Sequence, residues 1–173
     1  MAVRDIITLP DPVLRRISKP VQRIGPEVLK LASDMLDTMY DAPGIGLAAV
    51  QIGIPTRLLV ADIARDNEPK SPLIMINPEI VWASEEKSDY EEGCLSIPEF
   101  YEMVTRPKAV RVRYADPKGE RAELLCENML ATVVQHEIDH LNGVLFIDYI
   151  SRLKRERVVK KFAKAARADP PRL

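Results

Sequence analysis

Only two cysteines and two histidines occur among the 173 residues. The cysteines, Cys94 and Cys126, are too few for a disulfide framework, and a chain of this size is not expected to depend on one disulfide. No apolar run approaches the roughly 20 residues that a membrane-spanning helix needs. The opening stretch MAVRDIITLPDPVL lacks the basic, apolar, small-residue order of a signal peptide. No internal repeat or low-complexity tract is present. These absences point to one globular domain in the cytoplasm, with no membrane partner.

What is present fits that reading. The chain is 46% hydrophobic and 29% charged, enough of each for a real core and a solvated surface. The formal net charge of −1 hides an asymmetry. Residues 152–167 hold eight Lys or Arg against one Glu, a net +7, which leaves −8 on residues 1–151. Residues 1–150 are therefore expected to form the working domain, and residues 151–173 a basic amphipathic helix with a frayed end.

Periodicity gives the elements. Pro10, Pro12 and Pro20 keep the N-terminal segment extended or turning. GPEVLKLASDMLDTMYDA reads as a helix, with Pro26 in its first turn and a stripe through Val28, Leu31, Met35 and Met39. GIGLAAVQIGIP reads as a glycine-punctuated loop, and TRLLVADIA as a buried strand. SPLIMINPEIVWA reads as one or two strands around Asn77 and Pro78. KSDYEEGCLSIPEFYEMV reads as loop and irregular strand. KAVRVRYADPKGERAELLC alternates and turns at DPKG, as a hairpin does. ENMLATVVQHEIDHLNG should be a central helix stopped by Gly143. LFIDYI reads as a short connector. SRLKRERVVKKFAKAAR reads as a last helix, with a rough stripe through Ile150, Leu153, Val159, Phe162 and Ala166. Segregated helices and mostly antiparallel strands define an α+β class.

The chemistry concentrates in QHEIDH, residues 135–140. Positions four apart lie on one helix face, so His136 and His140 are able to hold one ion between them. Glu137 sits beside that face, within reach of a water. This is the H-E-x-x-H arrangement of zinc hydrolases. Val133, Val134, Ile138 and Leu141 make the helix a buried one, where two unpartnered histidines would carry an uncompensated desolvation cost. A site that works on substrate usually takes three protein ligands. There is no third histidine, and no glutamate follows on a further helix as in metallopeptidases. The remaining ligand is expected upstream, where Cys94 stands in a loop after Gly93 with carboxylates nearby. Cys126 is expected to be core. The glycine pattern of residues 44–53 is not a nucleotide fingerprint, because no strand leads into it and no third glycine opens a helix, so no nucleotide cofactor is expected.

Three stretches together, GIGLAAVQ (44–51), EGCLS (92–96) and QHEIDH (135–140), resemble the signature motifs of the peptide deformylase family in order and spacing. LPDPVLRRISKPV and GVLFIDYIS are similar to the family as well, so the resemblance runs over roughly residues 5–151. It implies a central metal helix surrounded by antiparallel sheets, with helices at both ends of the chain. It implies removal of the N-formyl group from formyl-methionyl nascent polypeptides, releasing formate, in a bacterial cytoplasm. By resemblance, Cys94, His136 and His140 are the metal ligands and Glu137 the acid/base. Gln51 and the backbone N–H of Leu95 are the donors to the formyl oxygen. One divalent ion is implied, Fe2+ in the cell, with Zn2+, Ni2+ or Co2+ able to replace it.

Gly44 and Gly46 are expected to let the backbone run close to the substrate. Met129, Thr132 and Val133 lie one and two turns before His136. With Ile45 they are expected to line an apolar slot for methionine. Tyr90, Glu92 and Gly93 are expected at the rim. Arg106 and Asp139 are expected to pair behind a ligand. The family often carries arginine where this chain has Tyr101, which bears on the pocket entrance. The resemblance also implies that the basic C-terminal helix meets the ribosome.

Overall fold

Pro26 opens the first helix, α1 (Pro26–Asp41), where its missing amide hydrogen costs nothing and its fixed φ suits the first turn. In the computed structural model, which describes residues 2–168, seven strands follow. They are β1 (Gly46–Ala48), β2 (Leu58–Ala61), β3 (Leu73–Ala83), β4 (Lys87–Cys94), β5 (Ile97–Pro107), β6 (Ala109–Ala115) and β7 (Arg121–Glu127). Helices α2 (Asn128–Leu141) and α3 (Arg152–Ala168) complete the order. Strands β1, β2, β3, β6 and β7 form one five-stranded sheet in that order, and β4 pairs with β5 in a separate hairpin. Every pairing between these strands is antiparallel. The α+β class read from the sequence holds.

The large sheet is covered on both faces, which explains the unbroken apolar run of β2. Leu58 and Val60 pack with Met35 and Met39 of α1 on one side. Leu59 packs with Val134, Ile138 and Leu141 of α2 on the other, together with Met75, Val110 and Val112. A third cluster joins the N-terminal segment (Leu9, Leu14), β5 (Ile97, Val104), the turn Phe146–Tyr149 (Phe146, Ile147) and Val158 of α3. The extended N-terminal segment also stitches the site together. The Ile7 N–H donates to the Gln51 carbonyl at 2.7 Å, and the Leu9 N–H to the Ser96 carbonyl at 2.9 Å.

Several sequence expectations change. GIGLAAVQIGIP is not all loop: Gly46–Ala48 forms edge strand β1, and Ala49–Ile52 a short 3-10 turn. SPLIMINPEIVWA, read as one or two strands, is one strand with bulges; at Asn77 φ is +52 and the side chain both accepts from the Val21 N–H and donates to the Val21 carbonyl. KSDYEEGCLSIPEFYEMV, read as loop and irregular strand, forms most of the β4–β5 hairpin, with its irregularity confined to a register shift between Gly93 and Cys94. LFIDYI holds a 3-10 turn at Phe146–Tyr149. In α3 the docked residues are Val158 and Phe162, with Ile150 ahead of the helix, while Leu153 (60%) and Val159 (37%) are exposed. Gly143 follows α2 at φ +73, the left-handed stop expected of it. No described helix is long and apolar enough to cross a membrane.

Candidate metal centre

Helix α2 carries His136 and His140 on one buried face, with ring centroids 5.0 Å apart. Cys94, the last residue of β4, is brought to the same point by the hairpin. Its Sγ lies 3.3 Å from His140 Nε2. The ligand atoms of Cys94, His136 and His140 all lie within 4.8 Å of one another, and no other His/Cys/Asp/Glu group among the described residues forms such a cluster. A thiolate and two imidazoles suit a borderline divalent ion such as zinc or ferrous iron. This donor set therefore fits a single metal ion. Burial first, and the nearby charge of Arg106 with it, push His140 well below the ordinary imidazole value, which keeps it neutral and able to donate a lone pair.

Glu92 is not a rim residue. It is buried, and its carboxylate lies 2.9 Å from His136 Nδ1. Arg106 grips the same carboxylate with two bonds, Nε to Oε2 at 2.7 Å and a terminal nitrogen to Oε1 at 2.9 Å. Its other terminal nitrogen reaches Asp139 Oδ2 at 2.8 Å. The expected Arg106–Asp139 pair exists, but Glu92 is the group that touches the histidine. Burial works against the Glu92 carboxylate. The bonds from His136 and Arg106 outweigh it and hold the pKa below the ordinary value. Glu92 therefore stays charged, fixes the tautomer of His136 and turns Nε2 toward the site.

Glu137 lies against Gly46. A methyl group on Gly46 would fall 2.6 Å from Glu137 Oε1. The carboxyl is 4% exposed, its Oε2 has no hydrogen-bond partner, and burial pushes its pKa up to about 7. Gln51, in the turn after β1, is fixed at both ends of its amide. Oε1 accepts the Ala48 N–H at 2.9 Å, while Nε2 donates to Ser96 Oγ at 3.1 Å and faces Cys94 Sγ at 3.6 Å. Ser96 was not visible as a site residue in the sequence; its only signal is its place inside EGCLS.

These groups open on a cavity of about 500 Å³. Gly44, Ile45 and Gly46 line one wall, and Met129, Thr132 and Val133 of α2 another. Tyr90, Glu92 and Gly93 line the hairpin side, with Tyr101 beside them. The tight packing of this wall needs glycine at two more points. A Cβ on Gly44 would meet Leu95 Cδ1 at 2.7 Å, and one on Gly93 would meet the Tyr101 ring at 2.5 Å. Sequence reasoning missed Ile97, Pro98 and Pro43 in the lining. It also missed Phe146, whose ring stacks on His136 with centroids 5.9 Å apart. Cys126 lies in the core, away from the site, and burial pushes its thiol up to about 11.

A buried H-E-x-x-H helix completed by a thiolate, with a raised carboxyl facing a cavity, defines a metal-dependent hydrolase. The comparisons then narrow the class. The model of the polypeptide deformylase family matches residues 3–156, and the chain belongs to that family. A peptide deformylase of Rhizobium meliloti is 59% identical over 167 residues, covering 96% of each chain. The crystal structure of peptide deformylase from Ehrlichia chaffeensis superposes with a TM-score of 0.91 at 38% identity, covering 97% of this chain and 99% of the other. A second structure of the Ehrlichia protein, in complex with actinonin, gives a TM-score of 0.90 at 37% identity, covering 99% and 100%. The reaction is the metal-dependent removal of the N-formyl group from nascent polypeptides.

Proposed function

We propose that Cys94, His136 and His140 hold one divalent ion, ferrous iron in the cell, and that Glu137 carries the proton through deformylation of formyl-methionyl chain ends. Nickel, cobalt or zinc would fit the same ligands. The single observation behind this reading is the convergence of the three ligand atoms within 4.8 Å beside the unpartnered Glu137 Oε2. When bound, the ion supplies Lewis acidity and lowers the pKa of water toward neutrality.

The chain's own groups do the rest. Glu137 takes a proton from the attacking water and returns it to the leaving amine. The formyl oxygen gathers negative charge as the carbon becomes tetrahedral. Gln51 Nε2 and the Leu95 N–H donate to it, the Gln51 amide redirecting to the substrate a hydrogen that otherwise faces Cys94 Sγ. Ile45, Met129, Thr132 and Val133 take the methionine side chain. Because β1 is an edge strand, its side away from β2 is open to an extended peptide, and Gly44 and Gly46 keep the approach open. Tyr90, Gly93 and Tyr101 shape the entrance.

Residues 1–150 form the catalytic unit in this reading. The basic helix α3, with residues 151–173 as a whole, serves as a handle for ribosomal RNA near newly made chains in the bacterial cytoplasm. Deleting residues 151–173 is expected to weaken ribosome binding and flatten its salt dependence; unchanged binding would remove the handle from the account.

The test of the chemistry is formate release from a short formyl-methionyl peptide, by protein handled without oxygen, beside Glu137→Ala with its metal content checked. The parent should release formate, and the variant should retain metal and lose about 10²- to 10⁴-fold in kcat. A metal-loaded parent that releases none would refute the reading.

A further inference from the structure

The turn Phe146–Tyr149, which joins the body to α3, touches the metal centre from two sides. Phe146 stacks on the His136 ring itself. Tyr149 reaches the far end of the network behind that ring. Its hydroxyl donates to Asp139 Oδ2 at 2.8 Å, the same oxygen that accepts from Arg106 at 2.8 Å. Its ring lies against the Arg106 guanidinium, 4.7 Å from centroid to the central carbon. Arg106 and Glu92 are each 4% exposed at the side chain, Asp139 is 19% exposed, and Tyr149 is 51% exposed. Tyr149 is thus the outermost link of the network, part of it facing solvent.

We propose that Tyr149 is a positioning residue for His136, acting through Asp139, Arg106 and Glu92, and that this outer clamp sets how tightly the centre retains its ion. The proposal rests on the reading that Cys94, His136 and His140 bind the metal. The physical case is one of satisfied valences. Arg106 spends Nε and one terminal nitrogen on Glu92 and the other on Asp139, which leaves the guanidinium face to be covered. A tyrosine ring covers it favourably, because its electron-rich face attracts the cation. The network holds two carboxylates against one guanidinium. The phenol donates to the second carboxylate and reduces its pull on Arg106. With the ring removed, water reaches both Arg106 and Asp139, and the two-point grip on Glu92 loosens. Glu92 then no longer fixes the orientation and tautomer of His136, which is how groups behind a ligand govern metal affinity.

The test is competition of metal-loaded protein with a chelator, together with the visible absorption of the Co2+-loaded chain. Tyr149→Ala is expected to weaken metal retention about tenfold and to shift the Co2+ bands. Tyr149→Phe keeps the ring on Arg106 and should recover most of that loss. The remaining deficit should vanish in an Asp139→Asn background, since the hydroxyl acts only through Asp139. A residue that merely holds the turn would lower the melting temperature of the metal-free chain yet leave the dissociation constant and the Co2+ spectrum at parent values. That result overturns the proposal. Should Tyr149→Ala fail to fold, Tyr149→Phe and Asp139→Asn decide it. Weaker retention in both, without additivity, supports the clamp, and parent-like retention in both overturns it. A parent that binds no ion would instead refute the ligand assignment beneath it.

Discussion

Gly46→Ala should damage catalysis while leaving the metal in place. Gly46 has no positive φ that would forbid a side chain, so the cost is steric alone. The added methyl would fall 2.6 Å from Glu137 Oε1 and 3.0 Å from both Glu137 Cγ and Val133 Cγ1. Ordinary contact starts near 3.4 Å, so the carboxylate must retreat by about 0.8 Å. It has little room to do so, because Glu137 is 4% exposed and set in a helix whose neighbours are packed. A displacement approaching 1 Å at a proton-transferring group costs on the order of 10²-fold in rate. The overpacking itself should cost about 1–3 kcal/mol of stability. The ligand atoms of Cys94, His136 and His140 are not among the nearest contacts of the new methyl. The assay is kcat and KM for formate release at verified metal content, beside a chelator titration. The expected result is a fall in kcat of about 10²-fold with metal affinity within about threefold of the parent. A kcat within about threefold of the parent would show that Glu137 need not stand where Gly46 lets it stand.

Two further predictions concern the frame around the site. Gly143→Ala combines a φ of +73 with a Cβ 2.5 Å from the Arg15 carbonyl oxygen, so it should lower stability in denaturant melts by about 1–3 kcal/mol. No loss would mean the α2 stop is not strained. Asp34, fully buried at the side chain, is held at a pKa of about 2 by hydrogen bonds from Arg4 and then Lys30, below its ordinary 3.8. A lowered folded-state pKa contributes stability above about pH 4 and loses it as the pH falls toward 2. The stability gap between the parent and Asp34→Asn should therefore be full at pH 6 and shrink steadily below about pH 4. A gap independent of pH would contradict this.

How much of this was legible in the sequence depended on how far each interaction reached along the chain. Helix α2 and its metal-binding face could be read because the i, i+4 spacing of His136 and His140 is local. The β6–β7 hairpin was readable because apolar alternation and a DPKG turn sit side by side. The β4–β5 hairpin was not, since KSDYEEGC offers few apolar residues and its burial rests on Arg106 neutralising Glu92 across the strands. The same distance hid the position of Glu92, which reads as an acid at the pocket rim until its partner is known. Strand β1 spans three residues between glycine-rich turns, too short for any period to register. The α3 stripe held only at Ile150 and Phe162, because the docking face is chosen by Leu145, Phe146 and Ile147 on the body, not by the helix's own pattern.

The central claim is that one ion sits among Cys94, His136 and His140. X-ray absorption at the metal edge of the loaded protein, beside Cys94→Ser, tests it most directly. The account predicts one ion per chain with one sulfur and two imidazole nitrogens around it, and loss of the sulfur signal in the variant. A parent spectrum without a sulfur scatterer, or one unchanged in Cys94→Ser, would contradict it.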